Sequence, residues 1–325
     1  MTPPVRGVVV GGTGGVWQVR TEAGETLAAS LRGRLKKSNS GKRADGSLRR
    51  DTVLAAAATL KLAVGDDVVL EPGERGDAWA IAEILPRRSR LARRMPGGGH
   101  GERIVAANVD QVVVVFAAAK PEPHPRMLDR FLVIAEGNDL SARVVINKVE
   151  LVGEAAARDR FRLYEHAGYP VFLTSVKAAL GLDPLREALA GRRSVFTGPS
   201  GVGKSSLLNA LFPGANLRVG DISESVNKGR HTTVGAVMLP LPGADGGYVI
   251  DTPGLREVGL WELPSAQLDW CFPEMRPHRE GCRFADCRHV SEPDCAVREA
   301  LRTGEIDAVR YDSYVRLLEE MHDAR

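Results

Sequence analysis

The spacing of apolar positions changes character along the chain. Up to about residue 90 it consists of short alternating runs: VRGVVVGG, VWQVRT, TLAASLRG, DDVVLEP and AWAIAEILP. Each is bounded by Gly, Pro or charged turn residues, which predicts short strands. Roughly five such strands predict a small β-barrel, and an oligonucleotide-binding (OB-fold) barrel is the natural candidate. From about residue 100 onward, continuous β-branched runs alternate with helical stretches. VDQVVVVFAA, ARVVINK, PVFLTSV, RSVFTG and GYVIDTPG read as strands, the first two buried on both faces. RMLDRFLVIAEGND, LDPLREALAG and KSSLLNALF carry helical spacing. This alternation predicts a doubly wound parallel sheet. Past Leu260, VREALRTGEIDAVRYDSYVRLLEEM reads as two short helices.

A chain of 325 residues has room for two or three domains. Its formal net charge of +3 says little about partners, but the charge is unevenly placed. Arg32, Arg34, Lys36, Lys37, Lys42, Arg43, Arg49 and Arg50 face a single acid, Asp45, and a second basic run spans Arg87 to Arg94. Clustered cations can neutralise a nucleic-acid backbone; a solvated loop is the plainer reading. No stretch has the length and apolarity of a membrane span, and the N-terminus shows no signal-peptide pattern. A cytoplasmic protein without a membrane partner is expected.

The sharpest motif is GPSGVGKSS, where Gly198, Gly203, Lys204 and Ser205 match G-x-x-x-x-G-K-[ST] between a strand and a helix. Gly198, Pro199, Ser200, Gly201, Val202, Gly203, Lys204, Ser205 and Ser206 are thus expected to wrap phosphates. Lys204 is assigned to the β- and γ-phosphates and the Ser205 hydroxyl to Mg²⁺. Asn147, Lys148, Val149 and Glu150 end a strand in the manner of the guanine-reading N-K-x-D, with Glu150 in place of Asp. Thr174 and Ser175 suit the small-residue loop beside guanine. Asp251 and Gly254 lie in a D-x-P-G turn suited to Mg²⁺ and the γ-phosphate, and Thr232 or Thr233 suits the switch threonine. The five elements stand in a cyclic rotation of the usual order, which circular permutation permits.

Near the C-terminus, Cys282, Cys287, His289 and Cys295 offer three thiolates and an imidazole within a short span. Such a set fills a closed tetrahedral Zn²⁺ shell, as in structural sites. Cys271 and His278 read as a core cysteine and a surface histidine.

The chain resembles the circularly permuted GTPases, and among them the ribosome small-subunit-dependent RsgA (YjeQ) family. IVAANVDQVVVVFAA, LDRFLVIAE, INKVE, GPSGVGKSSLLNAL, GRHTT, DTPG and the cysteine cluster carry the likeness. It implies an OB-fold barrel over residues 1–90, a permuted α/β P-loop GTPase domain over 91–257 and a zinc-binding helical domain over 258–325. It also implies GTP hydrolysis to GDP with Mg²⁺, one structural Zn²⁺, a monomer, and late maturation of the small ribosomal subunit through its rRNA. Leu255 stands where many GTPases carry a water-orienting glutamine. His231 is the substitute, alongside Lys204 and Thr233 as catalytic candidates; a solvent-facing switch residue is the other reading of His231. Glu150 keeps open a P-loop ATPase of another class, and a non-enzymatic, nucleotide-switched RNA-binding protein is the second alternative.

Overall fold

The computed structural model describes residues 3–32, 62–73, 78–94, 102–213, 236–243, 246–251 and 265–323. The basic segment from Arg34 to Arg50, the candidates His231, Thr232, Thr233 and Gly254, and Leu255 lie outside them. The chain divides into two compact units, the first ending its main segment at Val109.

All five strands expected in the first segment are present: β1 (Val5–Thr13), β2 (Val16–Thr21), β3 (Thr26–Leu31), β4 (Asp67–Pro72) and β5 (Trp79–Ile84). They close as a barrel in the order β1-β2-β3-β5-β4. Alternation sends Val9, Val19, Ala29, Val68, Leu70 and Ile81 into one core. The β1–β2 connection is Gly14-Gly15, both at positive φ, and it joins Thr13 to Val16 as a two-residue hairpin. Closure comes from the antiparallel β1–β4 ladder and the parallel β3–β5 ladder.

Two further strands, β6 (Arg90–Arg94) and β7 (Glu102–Ala107), form an antiparallel ribbon. The second basic run therefore enters a strand rather than a loop. Arg87 corrects the phosphate-contact reading of that run for one of its members. Its Nε and Nη2 donate to the two oxygens of Asp66 at 2.6 and 2.7 Å, and both side chains are buried. Its charge is spent on fixing the turn after β5.

The chain beyond Val109 carries a sheet of order β10-β9-β8-β11-β13-β12. Its strands are β8 (Gln111–Ala117), β9 (Ser141–Asn147), β10 (Val171–Leu173), β11 (Arg193–Thr197), β12 (Val237–Pro240) and β13 (Tyr248–Asp251). β8 is central and every residue in it is buried, as its unbroken apolar run requires. The ladders β8–β9, β9–β10, β8–β11 and β11–β13 are parallel.

Helix α1 (Pro125–Glu136) follows β8, with Pro at its first turn, where no backbone donor is needed. Leu128, Phe131, Leu132 and Ala135 give it a buried stripe. Helix α2 (Glu154–His166) follows β9, α3 (Leu182–Leu189) follows β10 and α4 (Lys204–Leu211) follows β11. The C-terminal elements are a run of 3₁₀ turns through Pro273–Gly281, then α5 (Ala296–Thr303) and α6 (Ala308–Asp323). They share a core made of Phe272, Met275, Val297, Ile306, Tyr314 and Leu317, into which Val133 of α1 also packs. The second C-terminal helix is 16 residues long, so it is not the short helix expected.

Candidate nucleotide site and metal centre

The phosphate loop leaves β11 and enters α4, as its motif requires. Gly198 holds φ at +133°, and a Cβ there would sit 2.0 Å from the Val115 carbonyl oxygen. At Gly203, with φ at +93°, a Cβ would lie 2.6 Å from Asn147 Nδ2. Both positions therefore need glycine, for conformation and for space. Gly203, at the N-cap, has no side chain with which to cap α4, and a helix N-terminus suits a phosphate. Lys204 is buried, its Nζ donating to the carbonyls of Gly198 and Pro199 at 2.8 and 2.7 Å. Ser205 is half-buried; Ser200 and Ser206 are exposed.

The guanine-reading candidates are tied to this loop directly. Asn147 is buried, and its Nδ2 donates to the Val202 carbonyl at 2.9 Å. Its Oδ1 accepts the Thr174 hydroxyl at 3.2 Å. One amide therefore joins the end of β9, the phosphate loop and the small-residue loop after β10. Lys148 sits at φ +62°, and its Nζ donates to Gly201 and Lys120 carbonyls, both at 2.6 Å. Val149 is buried and its N–H donates to the Thr174 carbonyl, which leaves Glu150 exposed in the same 3₁₀ turn. Ser175 accepts the Ala178 N–H at 3.0 Å and so closes its own turn. Asp251 pairs in register with Phe196 on β11, which sets it beside the strand that feeds the phosphate loop.

The four metal candidates also converge. Their ligand atoms all lie within 4.8 Å of one another. Cys282 Sγ is 3.5 Å from His289 Nδ1 and 3.9 Å from Cys295 Sγ, and His289 Nδ1 is 3.4 Å from Cys295 Sγ. A tetrahedral zinc with ordinary bond lengths has edges of about 3.5–3.8 Å. The donor set and its spacing fit a structural Zn²⁺.

The surroundings fit as well. Burial works to raise the Cys282 thiol, but the Val297 and Ala296 N–H groups at the start of α5 pull it down. Burial holds Cys287 up at about 12, a value that a bound cation would override. His289 is turned by Asp269, whose Oδ2 lies 3.3 Å from Nε2. Burial disfavours the imidazolium, yet Asp269 and Cys282 raise the His289 pKa, so the ring is an electron-rich donor. Cys271 is a core thiol outside the cluster, raised by burial to about 12. His278 lies near Glu305.

The sequence model of the RsgA GTPase family matches residues 84–261. A relative from Gemmatimonas aurantiaca, named small ribosomal subunit biogenesis GTPase RsgA, is 56% identical over 322 residues and covers 99% of both chains. The chain belongs to the RsgA GTPase family. A Shewanella oneidensis relative of the same name is 39% identical over 81% of this chain and 75% of its own. The solved structure of YjeQ from Thermotoga maritima aligns with a TM-score of 0.77 at 35% identity, covering 99% of this chain and 100% of that one. YloQ, described as a circularly permuted GTPase, aligns at 0.72 and 26% identity, covering 100% and 97%.

Within this RsgA-family fold, two contributors escape the motifs. Asp269 precedes the cluster and is set on it by the 3₁₀ turns that begin the C-terminal segment. Lys120 serves through its main chain: its carbonyl takes the second Lys148 proton beside the phosphate loop. Neither has a spacing signature. The one signal that could have pointed to Asp269 is a carboxylate near a Cys₃His set, because zinc-bound histidines commonly donate to one.

Proposed function

We propose that this protein is a GTPase of small-ribosomal-subunit biogenesis, hydrolysing GTP to GDP and phosphate and stimulated by the subunit it acts on. The observation that carries the reading is the Asn147 amide. It ties three loops of a guanine-nucleotide site together in a chain whose motif order is rotated, and the YloQ structure is described as circularly permuted.

In this reading Glu150 accepts the two N–H groups of guanine, and its exposed position leaves it room to do so. Lys204 leaves the Gly198 and Pro199 carbonyls for the β- and γ-phosphates. Ser205, Asp251 and a switch threonine, Thr232 or Thr233, hold Mg²⁺, which neutralises charge on the phosphates when bound. Gly254 donates its N–H to the γ-phosphate. His231 orients the attacking water, a task Leu255 cannot perform. The barrel and the basic segment after β3 contact rRNA, and the protein works as a cytoplasmic monomer with one Zn²⁺ of structural role.

The test is GTP turnover with and without purified small subunits. Turnover rising with subunit concentration and saturating is the expected result. A flat response would leave a non-enzymatic, nucleotide-switched binder as the better reading.

A further inference from the structure

Trp270 stands out in the C-terminal segment because 48% of its surface is exposed although both of its backbone polar groups are held by side chains. Its backbone N–H donates to Asp269 Oδ1 at 2.9 Å, and its carbonyl accepts Arg276 Nε at 2.7 Å. The guanidiniums of Arg276 and Arg279 lie over the indole, 5.0 and 5.4 Å from its centroid. Each guanidinium is itself anchored, Arg276 to Glu136 at the end of α1 and Arg279 to Asp269.

The exposures show which way the charge faces. Arg276 and Arg279 are 29% and 34% exposed, their carboxylate partners 15% and 9%. Acids face inward; cations and the indole face water. Arginine and indole nitrogens are donors only. A ligand for this surface must bring acceptors and a flat π-face, and an unpaired nucleotide brings both. The exposed Phe284 makes a useful contrast. Arg283 also stacks on it, at 5.5 Å, but Arg283 and its partner Asp294 are both largely exposed, so nothing buried braces that pair.

We propose that Trp270, with Arg276 and Arg279, is a preformed stacking platform for an unpaired base of single-stranded RNA, held in place by the metal centre. Asp269 is the link. One of its oxygens takes the Trp270 N–H, and the other meets both Arg279 and the metal-facing His289. The cluster thereby gains a function beyond holding the fold. The assignment of RNA as partner deepens the proposed ribosomal role and rests on it.

The experiment compares the full-length, zinc-loaded wild type with Trp270→Ala and Trp270→Phe. The probes are a labelled single-stranded oligouridine RNA and, separately, purified small subunits. Trp270→Ala is expected to weaken oligouridine binding about tenfold, the scale of one stacked base. Trp270→Phe should recover most of it, with zinc content and basal GTP turnover unchanged in both. Oligouridine binding by Trp270→Ala within about twofold of wild type would overturn the platform; so would equal loss in the two variants, or no RNA binding by the wild type. Weaker subunit binding with unaltered RNA binding would assign the surface to a protein partner and reject the proposal. A wild type that binds oligouridine through Trp270 but is not stimulated by subunits would defeat the ribosomal reading and leave the platform standing.

Discussion

Arg310 on α6 and Asp129 on α1, 181 positions apart, form an ion pair with no solvent exposure. Glu274 takes the other edge of the guanidinium at 2.7 and 3.2 Å. Tyr164, Tyr169 and Phe272 lie against its faces. Burial works against the Arg310 charge, but Asp129 and Glu274 outweigh it and hold the guanidinium above its ordinary range. The pair bolts the segment with the Cys₃His cluster to the helix that follows the central strand. Removing one partner leaves the other ion buried and short of compensation, a loss of about 3–5 kcal/mol. Asp129→Ala is therefore expected to lower the denaturant midpoint of the second unit steeply. A midpoint close to wild type would show that Glu274 alone suffices.

Asn147→Ala removes a donor from the Val202 carbonyl and an acceptor from the Thr174 hydroxyl, both in a buried setting. Thr174 keeps a long contact to the Ile146 carbonyl at 3.5 Å, so the main cost is at Val202, where a buried carbonyl that loses its donor costs about 1–3 kcal/mol. Because the two contacts join three loops of one site, the loss should appear as weaker GTP and GDP binding together, by tenfold or more. Titration with a fluorescent GDP analogue reads this directly. Intact affinity would detach Asn147 from the nucleotide site.

Glu150 is exposed, so substitutions there carry little folding cost and report on base recognition. Glu150→Ala is expected to bring GTP and ATP affinities together, since its carboxylate is the group that adenine cannot satisfy. Glu150→Asp should keep the preference for guanine. Competition of GTP and ATP against labelled GDP measures both. Undiminished guanine preference in the alanine variant would point to a P-loop protein that reads its base elsewhere.

The elements most legible in the sequence are those with a single unambiguous period. β8 is buried throughout and reads as an unbroken apolar run, and the barrel strands alternate between turn glycines. The ribbon β6–β7 is hidden because its first strand is mostly arginine and looks like a charge run. Helix α2 is hidden for a related reason: only Ala157, Phe161 and Tyr164 are buried in it, a stripe too sparse to stand out among its charges. The metal ligands announce themselves by spacing. The route from nucleotide site to metal centre does not. Among the described residues, α1 meets the C-terminal segment through Asp129 with Arg310, Glu136 with Arg276 and Val133 in the shared core. Long-range pairing of ordinary helix residues leaves no local pattern to read.

His231→Ala should lower subunit-stimulated turnover while leaving GTP affinity nearly unchanged. Positioning a water stabilises the transition state more than the bound ground state, so kcat falls and binding does not. Single-turnover rates at saturating subunit, set beside GTP affinity, separate the two. Unaltered stimulated turnover would return His231 to the role of a solvent-facing switch residue.

Asp269 is the sharpest test of how the metal centre is built. It ligates nothing itself, and Cys282, Cys287, His289 and Cys295 all survive its removal. Yet it accepts from His289 and Arg279 and carries the Trp270 N–H. Partners of this kind set a ligand's orientation and basicity, and losing one typically costs 10–100-fold in metal affinity. Asp269→Ala is therefore expected to give up zinc to a calibrated chelator 10–100-fold more readily than wild type. Asp269→Asn keeps a hydrogen-bond acceptor without the charge and should fall between the two. If both variants held zinc as tightly as wild type, His289 would be oriented by its own backbone turn, at φ +62°, rather than by the carboxylate.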